Sequence, residues 1–252
     1  MSLGSGGPIR AVILTTQRTG STFLVECLRS HPQFNCITEL LVGAHLEPPA
    51  LVRSSRTWTK AARFLMAGGW YPTRAMRRFY ASSDKPVSIF KAMYNQVSNP
   101  LTLGYLTRNK DIHILHLRRH NLLKMHVSQL LMPKKRNAIW EPHTTEPLPA
   151  VSIHVDPVAA LEQMRKARLK YQHFEAVFAD HRRLAVVYED MIDNQRLRPS
   201  EGKRICEFFG VEDHPMRSSF IKLNPESLEL MVTNYSELAD VISGTEFADL
   251  LN

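Results

Sequence analysis

The sequence predicts an α/β domain, a three-layer sandwich in which a central parallel sheet is flanked by helices. Three observations carry this. Short apolar runs bounded by polar residues recur at 11–14, 87–93, 112–117 and 184–188, the mark of strands buried on both faces. Segments with helical apolar periodicity lie between them. The chain has 252 residues, 44% hydrophobic and 22% charged, enough for a sizeable core in a single domain spanning 10–252.

Taken in order, Met1–Ile9 is rich in Gly and Ser and lacks the apolar stretch of a signal peptide, so it reads as a flexible lead-in or tag remnant. Ala11–Leu14 is the first strand. Phe23, Leu24, Cys27 and Leu28 then share one face of a helix over Gly20–Ser30, closed before Pro32. Ile37–Val42 is a short apolar segment interrupted by Glu39, and residues 51–80 carry apolar positions at helical spacing. Val87–Met93 is a strand with Lys91 inside it, and Ile112–Leu117 is a strand alternating with histidines. Asn121 is placed to cap a helix running to Met132. From Pro133 to Pro157 no period is visible, which predicts a long loop. Val158–Ala179 is an amphipathic helix, Leu184–Tyr188 a strand, and Pro199–Phe209 a helix stopped by Gly210. The tail from Pro215 shows no clear pattern. Strands alternating with helices imply right-handed crossovers and a parallel sheet.

Composition narrows the function only loosely. Lys and Arg number 32 against 24 Asp and Glu, a net charge of +8, which suits a nucleic acid, an anionic surface or a small polyanion. The basic clusters Arg74–Arg78 and Lys134–Arg136 are short and not interleaved with aromatics, so a nucleic-acid platform is not expected. No apolar run reaches membrane-spanning length. Cys27, Cys36 and Cys206 are scattered without CxxC spacing, and the 11 histidines form neither HxH nor HExxH. A disulfide framework and a metal site are therefore not expected. The simplest placement is cytoplasmic, although a truncated luminal domain would read the same.

The chemistry concentrates between the first strand and helix, in Thr15-Thr16-Gln17-Arg18-Thr19-Gly20-Ser21-Thr22. Backbone N–H groups at a helix N-terminus form an anion-binding concavity, and Gly20 allows close approach. Ser21 and Thr22 add hydroxyls, and Arg18 a planar cationic fork. Against the nucleotide P-loop pattern GxxxxGK[ST], Thr15 replaces the first Gly and Ser21 replaces the Lys that reaches the terminal phosphates. A P-loop-like fold without that lysine suits one terminal anionic group better than a triphosphate. Glu39 and Lys91 interrupt apolar segments and must reach a cleft or an ionic partner. Arg119 sits at a strand end, and Ser128, seven residues beyond Asn121, can lean back toward an anion held there.

The stretch Thr16–Thr22 with Phe23-Leu24 resembles the 5′-phosphosulfate loop of sulfotransferases, in the form seen in the bacterial carbohydrate branch. Four further features match in order: His31-Pro32 leading to Thr38-Glu39-Leu40-Leu41, Phe90-Lys91-Ala92-Met93, Leu115–Ser128, and Val186–Asp190 with its YED element. The resemblance implies 3′-phosphoadenosine 5′-phosphosulfate (PAPS) as donor and adenosine 3′,5′-bisphosphate (PAP) as product, with no metal. It places Gln17, Arg18, Thr19, Gly20, Ser21 and Thr22 on the phosphosulfate, and Arg119 and Ser128 on the 3′-phosphate. It makes Glu39 the base, with Lys91 and Arg18 stabilising the transferred group. It also implies a carbohydrate or glycolipid hydroxyl as acceptor and a possible homodimer. The alternative is a P-loop kinase-like phosphotransferase, with Asp190 a weak candidate for the metal-holding acid.

Overall fold

The computed structural model describes residues 7–41, 71–136, 151–193, 196–219 and 227–251. Five parallel strands form the central sheet: β1 (Ile9–Thr15), β2 (Phe34–Glu39), β3 (Val87–Met93), β4 (His113–Arg118) and β5 (Arg183–Val187), in the order β2-β3-β1-β4-β5. This is the parallel α/β sheet expected from the sequence. β1 lies in the middle, and Ala11, Val12 and Ile13 are fully buried, which is why its sequence is continuously apolar rather than alternating.

Helices cover both faces. On one side α1 (Ser21–Ser30) and α8 (Pro199–Phe209) pack Phe23, Leu24, Leu28, Ile205 and Phe209 against Ile13 and Leu115. On the other lie α2 (Tyr71–Ala81), α3 (Tyr94–Val97), α4 (Pro100–Arg108), α5 (Leu122–Arg136) and α6 (Pro157–Val177). Phe90, Met76, Leu106, Leu123 and Phe174 belong to the core beneath them. α7 (Tyr188–Met191) and the antiparallel pair β6 (Ile192–Asp193) and β7 (Arg196–Leu197) follow β5. The tail folds as α9 (Leu228–Met231), α10 (Tyr235–Ser243) and a final 3-10 turn, Ala248–Leu251.

Several boundaries differ from expectation for identifiable reasons. β1 starts at Ile9, inside the segment expected to be flexible, because Ile9 N–H donates to the Pro86 carbonyl (2.8 Å). β2 begins at Phe34, ahead of the apolar run, since an edge strand needs a ladder partner and only part of a buried face. The β4 strand starts one residue late and ends on Arg118. α5 continues past Pro133 to Arg136, so the long loop does not start where the proline suggested; a proline near a helix end removes a single ladder bond. At the other end of that segment, Ile153 bridges Val232, and Pro157 opens α6 under an Asp156 cap. β5 stops at Val187, and Tyr188 already belongs to α7. Of the helix expected over 51–80, only 71–80 falls among the described residues.

His113 and His116 are strand histidines, as read. His116 Nε2 lies 2.5 Å from the Tyr94 hydroxyl, and burial first, then nearby Arg118, pushes its pKa down to about 3. It stays neutral at working pH. Burial lifts the Cys27 and Cys36 thiols to about 12, so neither is a nucleophile at neutral pH.

Candidate anion-binding site

The connection after β1 runs toward β2, on one side, while that after β4 runs toward β5, on the other. Between the C-terminal ends of β1 and β4 the connections therefore diverge and leave a crevice, the usual ligand position in an open parallel sheet. The 16–22 loop and the Arg119–Asn121 connection meet there.

The loop is built by local chemistry. The Thr15 and Thr19 hydroxyls lie 2.6 Å apart and reach the carbonyls of Leu117 (3.1 Å) and Thr16 (2.9 Å) respectively. Thr19 is thus fully buried, with its side chain spent on the framework; any role at a ligand falls to its backbone N–H. Arg18 and Gly20 both take left-handed backbone conformations, φ 62° and 77°. For Arg18 this is a strained state, of the kind that persists where the surroundings enforce it. Alternating backbone handedness curls successive N–H groups into a concavity. α1 starts here with Gly20 as its cap, no side-chain cap bond and no acidic residue in its first turn, so its positive dipole end faces the crevice. Ser21 is buried, Thr22 half-buried and Gln17 exposed at the rim.

Gly20 is required for a second reason. A Cβ there would fall 2.5 Å from Tyr188 Cδ2, and the Tyr188 ring is held under the Arg119 guanidinium, 4.7 Å from its centroid. Gly20→Ala combines left-handed strain with overpacking, together about 2–4 kcal/mol. For a chain of this size the melting temperature should fall by about 4–16 °C. A variant melting within 1–2 °C of the parent, by roughly the same scaling, would show that the loop yields freely.

Two arginines face each other across the crevice. Arg18 Nε donates to the Ser128 hydroxyl (2.9 Å), and Arg119 Nη1 donates to the Arg18 carbonyl (3.0 Å). Both guanidiniums are held below the usual arginine range, chiefly by burial, and Arg18 also by repulsion from Arg119. Glu189 offers partial compensation: its Oε1 is 3.6 Å from Arg119 Nε, too far for a hydrogen bond. Arg119 Nε has no acceptor among the described residues. Two neighbouring desolvated cations are costly unless an anion joins them. Arg118, one residue earlier, turns instead to an ion pair with Glu175. Beyond Arg119 a cavity of about 280 Å³ opens between α6 and the final turn, walled by Tyr171, Arg168, Phe247 and Leu250.

Lys91 and Glu39 lie on the β3 and β2 side of the crevice. Lys91 is 3% exposed and pairs in register with Ile13 of β1 and with Glu39, where the β2 ladder shifts between Ile37 and Glu39. The two residues are cross-strand neighbours near the same sheet end as the loop; the Glu39 side chain lies outside the described residues. The structure thus links Arg18 to both Ser128 and Arg119, sets Gly20, Ser21 and Thr22 at the α1 start, and places Lys91 beside Glu39 on adjacent strands.

Sequence reasoning gave no role to Tyr188, Glu189 or Tyr171. Tyr171 accepts a hydrogen bond from the Arg119 backbone N–H (3.2 Å). The YED element was the one available signal, but its contacts to 18–20 and 119–121 are long-range. Among the described residues no group of three or more His, Cys, Asp or Glu is arranged to hold a metal, and Asp190 is exposed. No helix there is long and apolar enough to cross a membrane.

Comparison with protein-family profiles finds no match, and comparison with curated proteins finds none either. Among solved structures, the chain is similar to the sulfotransferase from Alicyclobacillus acidocaldarius. The alignment covers 98% of this chain and 96% of that one at a TM-score of 0.51 and 14% identity. The fold is therefore a sulfotransferase-like, P-loop-like α/β sandwich.

Proposed function

We propose that this chain is a sulfotransferase that moves a sulfuryl group from PAPS to a hydroxyl of a carbohydrate or glycolipid acceptor. The observation that carries the reading is the half-buried Arg18–Arg119 pair at the switch point, joined by the Arg119 bond to the Arg18 carbonyl, within a glycine-hinged concavity that has no P-loop lysine. A donor with separate phosphosulfate and 3′-phosphate groups gives each guanidinium its own anion. The backbone of 17–22, with Arg18, Ser21 and Thr22, holds the phosphosulfate; Arg119 and Ser128 hold the 3′-phosphate.

In the reaction Glu39 takes the proton of the acceptor hydroxyl, the acceptor oxygen bonds to sulfur, and the bond from sulfur to the 5′-phosphate oxygen breaks. The electron pair leaves on PAP, where Lys91 and Arg18 stabilise the developing charge. As in phosphoryl transfer, positioning and charge stabilisation supply the rate. A cytoplasmic setting, the simplest placement of the sequence, and the homodimer that only the family resemblance implies belong to the same proposal.

A thermal-shift panel of PAP, ATP and GTP, each with and without magnesium, tests this. PAP at about 100 times its dissociation constant stabilises by about 2.7 kcal/mol, or roughly 5–10 °C at this chain length, without magnesium. A magnesium-dependent shift with ATP or GTP and none with PAP would instead establish kinase-like chemistry.

A further inference from the structure

Glu189, the middle residue of the YED element, stands at the β5 end and reaches across to the β4 connection. Its Oε2 accepts from the His120 N–H (2.8 Å) and its Oε1 from the Asn121 N–H (3.1 Å). The next residues are tied down as well. Asn121 Oδ1 accepts from the Lys124 N–H (2.8 Å), capping α5, while its Nδ2 donates to the Leu250 carbonyl (2.9 Å). The arrangement has a specific electrostatic consequence. A carboxylate gripping Arg119 in the usual forked way would satisfy that guanidinium and occupy the position an incoming anion needs. Here the acceptor capacity of Glu189 goes to consecutive backbone amides. Arg119 is aimed by the Arg18 carbonyl and the Tyr188 ring, yet its Nε is left without an acceptor among the described residues.

We infer that Glu189 is a positioning residue for the donor's 3′-phosphate, acting through the 119–121 backbone and Arg119; this rests on the sulfotransferase reading above. Two effects oppose each other when its charge is removed. Loss of a nearby negative charge favours anion binding. Loss of a paired amide anchor frees the connection, because the glutamine NH2 would meet a backbone N–H, donor against donor. Geometry wins: the amide bonds are short, whereas the contact to Arg119 is long and adds little attraction.

The test compares PAP with adenosine 5′-monophosphate, which lacks the 3′-phosphate, by calorimetry. Parent, Glu189→Gln, Glu189→Ala and the Glu189→Gln/Arg119→Ala pair are measured, with circular dichroism melts confirming folding. The glutamine variant should bind PAP about tenfold more weakly or worse, while the monophosphate changes less than about twofold. In the double variant PAP should bind no more weakly than with Arg119→Ala alone, since both substitutions remove one interaction. Equal weakening of both nucleotides would mean general loosening and overturn the role, as would PAP affinity that is unchanged or improved. Glutamine is isosteric, so it keeps the test decisive if the alanine variant does not fold. A parent protein indifferent to PAP would remove the donor reading itself, and this role with it.

Discussion

Arg119→Ala should weaken PAP by about 30- to 1,000-fold, the loss expected when one partner of a buried charged contact is truncated. The Arg119 side chain is only 11% exposed and sits within the crevice, so a phosphate meets it with little water left to screen the attraction. The substitution also deletes the hydrogen bond to the Arg18 carbonyl, which helps to hold Arg18 in its left-handed state. A compensating effect runs the other way: Arg18 loses a repulsive neighbour and becomes easier to keep charged. Adenosine 5′-monophosphate, which does not use Arg119, should therefore lose far less than PAP. Calorimetry decides it, and a PAP affinity within about twofold of the parent would take the 3′-phosphate away from this residue.

Glu39→Gln should lower turnover by about 10²- to 10⁴-fold while leaving PAP affinity nearly unchanged. Glu39 lies at the end of β2, across β3 from the loop that grips the donor, so its loss should not disturb that grip. Its cross-strand neighbour, Lys91, is almost wholly buried, an uncommon setting for a lysine and one that suits charge stabilisation at a reacting centre. PAP release from PAPS, followed with a sugar acceptor that supports turnover, gives the rate; calorimetry gives the affinity. Unchanged turnover would remove Glu39 from the chemistry, and a parallel loss of PAP binding would reassign it to the donor grip.

What the sequence revealed follows the range of the interactions involved. The strand, loop and helix around 11–30 were legible because a buried central strand is apolar throughout, and a glycine beside Ser and Thr at a helix start has a local meaning. Glu39 and Lys91 stood out because each breaks an apolar run, but their adjacency depends on the strand order and was not legible. The start of β2 was not legible, because Phe34-Asn35-Cys36-Ile37-Thr38-Glu39 mixes polar and apolar residues along an edge. Nor was the inward turn of the Thr19 hydroxyl, which depends on Thr15 and Thr16 bending together. The need for glycine at position 20 arises from an aromatic ring 168 residues away, and no local spacing encodes that. Glu189 was hidden for the same reason: its partners stand 69 and 68 residues upstream.

The tie between the Asn121 carboxamide and the Leu250 carbonyl spans 129 residues of chain. The Arg119–Asn121 wall of the crevice gains this anchor only once residues far apart along the chain have come together. The far wall of the crevice thus depends on a contact of long sequence separation, whose closure entropy is met late in folding, whereas the β1–α1 turn is held by neighbours within a few residues.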